Sequence, residues 1–118
     1  MISFLRKIIK KFYYAITGCV DGMLHDKSIR LQGIISILVV LGGIYVQLHI
    51  QEWMIIVAMI GFVVTLEYVN SAIEGIVDMI SPNYHPMAKK VKDYAAAAVL
   101  VASITAFLMA VFILLNRI

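Results

Sequence analysis

Residues 53–78 read Trp53-Met54-Ile55-Ile56-Val57-Ala58-Met59-Ile60-Gly61-Phe62-Val63-Val64-Thr65-Leu66-Glu67-Tyr68-Val69-Asn70-Ser71-Ala72-Ile73-Glu74-Gly75-Ile76-Val77-Asp78. Apolar residues dominate the stretch without a proline, for longer than the ~18–20 residues a helix needs to cross a bilayer. Its polar residues are not scattered. Glu67, Asn70, Glu74 and Asp78 are spaced 3, 4 and 4 apart, so at about 100° per residue they fall within roughly 80° of arc. Val69, Ile73, Ile76 and Val77 point elsewhere. The stretch predicts a membrane-crossing helix with a narrow acidic ridge.

The rest of the 118-residue chain agrees with a membrane setting. Hydrophobic residues make up 63% and charged residues 14%, with a mean hydropathy of +0.97. Soluble domains run at about 25% charged, so a soluble enzyme, a disordered tail and a disulfide scaffold are excluded. The lone cysteine, Cys19, closes no internal disulfide and makes no zinc cluster. Two further spans flank the first, at 31–50 and 94–116, and the middle one is read as 53–80. Gln51-Glu52 is read as a tight link. Ser81-Pro82-Asn83-Tyr84-His85-Pro86 is read as a loop holding both prolines. The fold class is all-α integral membrane, with residues 1–118 forming a single membrane domain.

Charge sets the orientation. Six of the ten Lys/Arg precede the first long apolar run, and Lys89, Lys90 and Lys92 cluster after the 81–86 loop. The link at 51–52 has none. By the positive-inside tendency the N-terminus and the 81–93 segment are cytoplasmic and the C-terminus is outside. Arg117 is one contrary charge. Residues 4–24 place Leu5, Ile8, Ile9, Phe12, Ile16, Val20 and Met23 at helical spacing, with Lys7, Lys10 and Lys11 between them. This predicts an amphipathic helix on the cytoplasmic leaflet. A cleaved signal peptide is the rival reading, but Asp21 interrupts the apolar stretch and no A-x-A site follows. No basic run interleaves with aromatics as nucleic-acid binding would need.

A carboxylate inside a span costs about 3 kcal/mol by insertion scales, which makes it a functional hypothesis. Three in register repel one another unless a cation sits among them. The bland alternative is a ridge neutralised by protonation or by lysines of a neighbouring helix. Glu67 lies about 21 Å inward from Trp53 and Glu74 about 31 Å, at 1.5 Å per residue. The ridge therefore runs from below the inner membrane surface toward cytoplasmic water. It could join a lipid hydroxyl at Glu67 to a metal-bound anion at Glu74. Asp26 and Glu74 are oxygen ligands of the kind Mg²⁺ takes beside substrate phosphates. Lys92 could balance phosphate charge. Singly, Asp26 reads as a helix cap, Lys92 as a snorkelling lysine and His85 as a loop histidine. No P-loop or other nucleotide or hydrolase signature occurs. Ala95 to Ala98, Ala102, Ala106 and Ala110 give the third span a small-residue face for close packing.

Leu66-Glu67-Tyr68-Val69-Asn70-Ser71-Ala72-Ile73-Glu74-Gly75-Ile76-Val77-Asp78, followed by His85-Pro86-Met87-Ala88-Lys89-Lys90-Val91-Lys92-Asp93, resembles the prokaryotic diacylglycerol kinase family, and its Gram-positive, undecaprenol kinase-like branch in particular. The resemblance implies a lipid kinase of the bacterial plasma (inner) membrane, a homotrimer with shared sites, using ATP and Mg²⁺. The implied acceptor is undecaprenol, giving undecaprenyl phosphate, with diacylglycerol, giving phosphatidic acid, as the alternative. It also implies roles. Glu67 is the general base and Asn70 helps to position it. Glu74 and Asp26 bind metal. Asp78, Asn83, Tyr84, His85, Lys92 and Asp93 surround the nucleotide, joined by Lys7 and Tyr14 of the surface helix. One departure stands out. The family usually has Glu where this chain has Asp26, followed by Lys27-Ser28-Ile29, and the shorter side chain bears on metal affinity. A rival class is a small proton-coupled transporter subunit. Such proteins centre one Glu among four spans and need no cytoplasmic Lys-Asp pair.

Overall fold

The computed structural model describes all 118 residues, as four α-helices without a strand. They are α1 (Ile2–His25), α2 (Lys27–Val46), α3 (Ile50–Ile80) and α4 (Pro86–Arg117). The last three are long and apolar enough to cross a membrane. α3 packs most extensively against α4, then against α2, while α1 touches mainly α2. Only ten residues are buried, among them Ile29, Ile56, Val63, Ala95, Ala102 and Ile113. A water-soluble domain could not leave so much Leu, Ile and Phe uncovered; a bilayer or further copies of the chain can.

The helix ends differ from the sequence expectations, for local reasons. α2 begins at Lys27 rather than at residue 31, because Asp26 is its N-cap and accepts the Ile29 N–H at 3.0 Å. It ends at Val46. Gln47 then takes the left-handed conformation (φ 58°), and Leu48 N–H returns to Gly43 O at 3.1 Å, a Schellman-type stop. The link is therefore 47–49, and Gln51-Glu52 belongs to the first turn of α3. There Glu52 Oε1 accepts the His49 N–H at 2.8 Å. Gly43 is required at this corner, since a Cβ would meet the Trp53 ring at 2.7 Å.

α4 starts at Pro86, more than two turns before residue 94. Proline suits the first helical position, and the His85 ring accepts Met87 N–H at 3.1 Å. Pro86 is thus a helix starter, and the α3–α4 loop shrinks to residues 81–85. Lys92-Asp93 sits in the second turn of α4 and does not open it. At the opposite end Arg117 closes the bundle. It pairs with Glu52 at 2.5 Å and donates to Val46 O at 2.7 Å and Gln47 O at 3.0 Å. The contrary charge is thereby absorbed by the carbonyl end of α2 and the acidic first turn of α3.

Candidate functional site

α2 is 20 residues long and α3 is 31. Starting level with each other at the Arg117 end, they finish about 16 Å apart in length at 1.5 Å per residue. The start of α2 therefore lies against the middle of α3's second half, and α3 and α4 continue beyond it as a hairpin. The ridge crosses this step. Glu67 and Asn70 are the two polar side chains buried in the fold. Asn70 Nδ2 donates to Glu74 Oε1 at 3.2 Å, while Asn70 Oδ1 is buried without a partner. Asp26 and Glu74 both lie within Coulombic reach of Glu67, and the Gln32 side chain of α2 faces it. The structure thus gathers Glu67, Asn70, Glu74 and Asp26 into one group.

Asp26 is held on three sides. Its N–H donates to Gly22 O at 3.0 Å, Oδ1 takes the Ile29 N–H, and Oδ2 accepts the Ser71 hydroxyl at 2.6 Å. The Ser71 bond above all, helped by the Ile29 and Ser28 N–H groups, holds the Asp26 carboxyl below its ordinary value against the upward push of burial. The cap reading of Asp26 and its nearness to the ridge are therefore both correct. Tyr68 fixes the same corner from the other side, donating to Cys19 O at 2.7 Å. Gly22 lets the Tyr68 ring in, for a Cβ there would stand 2.5 Å from the ring edge.

Further along, Lys92 donates to Asp78 at 2.5 Å across α3 and α4, and Lys89 to Asp93 at 2.6 Å. For Asp78, the neutralising lysine of a neighbouring helix is a fact of the fold. Glu67 and Glu74 have no such partner. Tyr84 is exposed, Asn83 O accepts from Ser81, and His85 is engaged as a cap. Lys7 and Tyr14 are not brought to the ridge. Both are exposed on the part of α1 that leaves the bundle, and Tyr14 meets only the edge of Tyr13.

Two hollows flank the group. An apolar cleft of about 260 Å³ runs between α2, α3 and α4, bounded by Val39, Ile56, Val63, Phe107 and Ala110, with Gln32 on its wall. Gln32 also faces Glu67, so the cleft adjoins the buried carboxylate. A polar hollow of about 350 Å³ opens at the α1–α2 elbow, lined by Asp21, His25, Asp26, Tyr68 and Ser71. Sequence reasoning missed Gln32, Tyr68 and Ser71. Ser71 lies one position beside the ridge, and a hydroxyl beside three carboxylates and an amide was the available signal.

The donor set fits Mg²⁺ in kind. Carboxylate oxygens of Glu74 and Asp26 are hard ligands, and the unpartnered Asn70 Oδ1 is another oxygen in the same place. No three His, Cys, Asp or Glu side chains converge closely enough to cage an ion.

The fold and site define a class: a small helical membrane protein that sets a buried carboxylate between an apolar cleft and a water-facing acidic group. The model for "Prokaryotic diacylglycerol kinase" matches residues 13–114. The chain is 34% identical over 113 residues to the undecaprenol kinase of Bacillus subtilis (strain 168), covering 96% of this chain and 92% of that one. It is 30% identical over 100 residues to the diacylglycerol kinase of Escherichia coli (strain K12), covering 85% and 82%. A Helicobacter pylori (strain ATCC 700392 / 26695) diacylglycerol kinase is 28% identical over 99 residues, covering 84% and 77%. The chain belongs to the prokaryotic diacylglycerol kinase family and is a lipid kinase of the membrane.

Proposed function

We propose that this protein transfers the γ-phosphoryl group of ATP to the hydroxyl of undecaprenol at the cytoplasmic face of the bacterial plasma membrane. The observation that carries the reading is Glu67: buried, without a basic partner, and next to both an apolar cleft and the Asp26–Glu74 group. Glu67 takes the proton of the lipid hydroxyl as its oxygen attacks the γ-phosphorus. The bond from phosphorus to the β,γ-bridging oxygen breaks, and ADP leaves. Asn70, tied to Glu74, orients the acidic group. Glu74 and Asp26 would hold Mg²⁺, which when bound neutralises phosphate charge. Asp78, Lys92 and Asp93 receive the nucleotide where α3 and α4 extend past α2, with Asn83, Tyr84 and His85 at the loop.

Such chemistry asks the protein for alignment and charge compensation more than for covalent steps. Lys7 and Tyr14 reach a site only in an assembly, which agrees with a homotrimer in which α1 of one copy serves a neighbour. α1 lies along the cytoplasmic leaflet, with the C-terminus outside. Undecaprenol is preferred as acceptor because of the 34% identity, over nearly full length, to the Bacillus subtilis enzyme. Diacylglycerol is the second reading, favoured by the named activity of the Escherichia coli relative.

The test compares ³²P transfer from labelled ATP to undecaprenol and to diacylglycerol in the same micelles. Undecaprenyl phosphate should dominate; a strong preference for diacylglycerol overturns the acceptor. Glu67→Gln should lose most turnover with its helix content intact by circular dichroism. Near-normal activity would remove Glu67 from the base role.

A further inference from the structure

Asp26 stands where a longer carboxylate would be expected, and the structure shows what accompanies the shorter one. As the N-cap of α2, its Oδ1 is committed to the Ile29 N–H. A carboxylate fixed only in that way would be oriented by α2 alone. Ser71, 45 residues later on α3, donates to the other oxygen at 2.6 Å. This side-chain hydrogen bond joins α2's start to α3, and it connects Asp26 to the helix bearing Glu67 and Glu74. Each Asp26 oxygen then has one close partner, with the Ser28 N–H beside them, and the carboxylate keeps acceptor capacity for a further ligand.

We propose that Ser71 is a positioning residue that sets the Asp26 carboxylate against the Glu67–Glu74 ridge in metal-binding register. Asn70 does the same for Glu74 one residue earlier, so adjacent side chains on α3 orient the two carboxylates. Partners that orient metal ligands typically affect metal affinity by about 10–100-fold. The inference rests on the reading of Asp26 as a metal ligand.

The experiment measures Mn²⁺ affinity by electron paramagnetic resonance on the full chain in micelles with a non-hydrolysable ATP analogue. Ser71→Ala should weaken Mn²⁺ about tenfold, while Ser71→Thr, which keeps a hydroxyl, should bind like the parent. Asp26→Asn should lose at least as much, and adding Ser71→Ala to it should change little further. The apparent KM for the metal–nucleotide complex should rise in Ser71→Ala with the KM for lipid unmoved. If Ser71→Ala loses helix content, Ser71→Cys, with its weak donor, takes its place and should also weaken Mn²⁺. Loss in Asp26→Asn without loss in Ser71→Ala overturns the positioning role and leaves the kinase reading intact. Equal loss in Ser71→Ala and Ser71→Thr assigns Ser71 to packing and also overturns it. Unchanged Mn²⁺ affinity in Asp26→Asn overturns the metal role of Asp26 itself.

Discussion

Asn70 and Ser71 are neighbours in sequence, yet their side chains address carboxylates on different helices. The ridge itself was legible, because a 3-4-4 spacing along one helix is written in the sequence as an angle. Its cross-helix partners were not. A bond between residues 26 and 71 leaves no periodicity, and the place of Ser71 beside the ridge offers a hydroxyl without naming its partner. Two outcomes follow at this scale. Glu74→Ala should raise the apparent KM for Mg-ATP more than that for lipid in steady-state kinetics; equal effects would contradict a metal role. Gly22→Ala should destabilise the elbow by about 1–3 kcal/mol, since the added methyl meets the Tyr68 ring edge at 2.5 Å. Thermal unfolding in micelles measures this, and Tyr68→Ala in the same chain should recover part of the loss.

Three crossing helices and one preceding helix were foreseen in number and order, but their ends moved, by more than two turns at the start of α4. Hydropathy marks the hydrocarbon layer, whereas helix ends are set by caps. Asp26, His49, His85 and Pro86 lie outside or at the edge of the apolar runs that define spans, so hydropathy could not place the ends there. Capping also gives α2 a pH dependence. Asp26 titrates below its ordinary value in the fold, so its stabilisation is complete above the unfolded value of about 3.9 and is lost as pH falls through the lower, folded one. Thermal unfolding between neutral pH and pH ~3 should show a larger drop for the parent than for Asp26→Asn. At the far end, Arg117→Ala frees the Val46 and Gln47 carbonyls and leaves Glu52 without its cation. The partly buried charge-assisted bonds predict a loss of about 2 kcal/mol, read as faster proteolysis at the 47–49 link.

At the scale of the molecule, the sequence disclosed the membrane setting and set an expectation of sidedness, but not how α1 leaves the rest. Periodicity declared α1 two-faced; the angle at the elbow is decided by Gly22, Tyr68 and Asp26 together, which no single segment encodes. Sidedness is checked with single cysteines in a Cys19→Ser background. In right-side-out vesicles a membrane-impermeant maleimide should modify Gln51→Cys and spare Asn83→Cys until the vesicles are opened. The ten buried residues carry a thermodynamic consequence. A chain with so small an interior borrows its solvophobic cohesion from lipid tails and sister chains, so its melting point is a property of the mixture. Diluting it with surfactant at fixed temperature shifts that equilibrium by mass action. Inactivation rates should therefore track the surfactant-to-polypeptide ratio, as for a solute partitioning between phases.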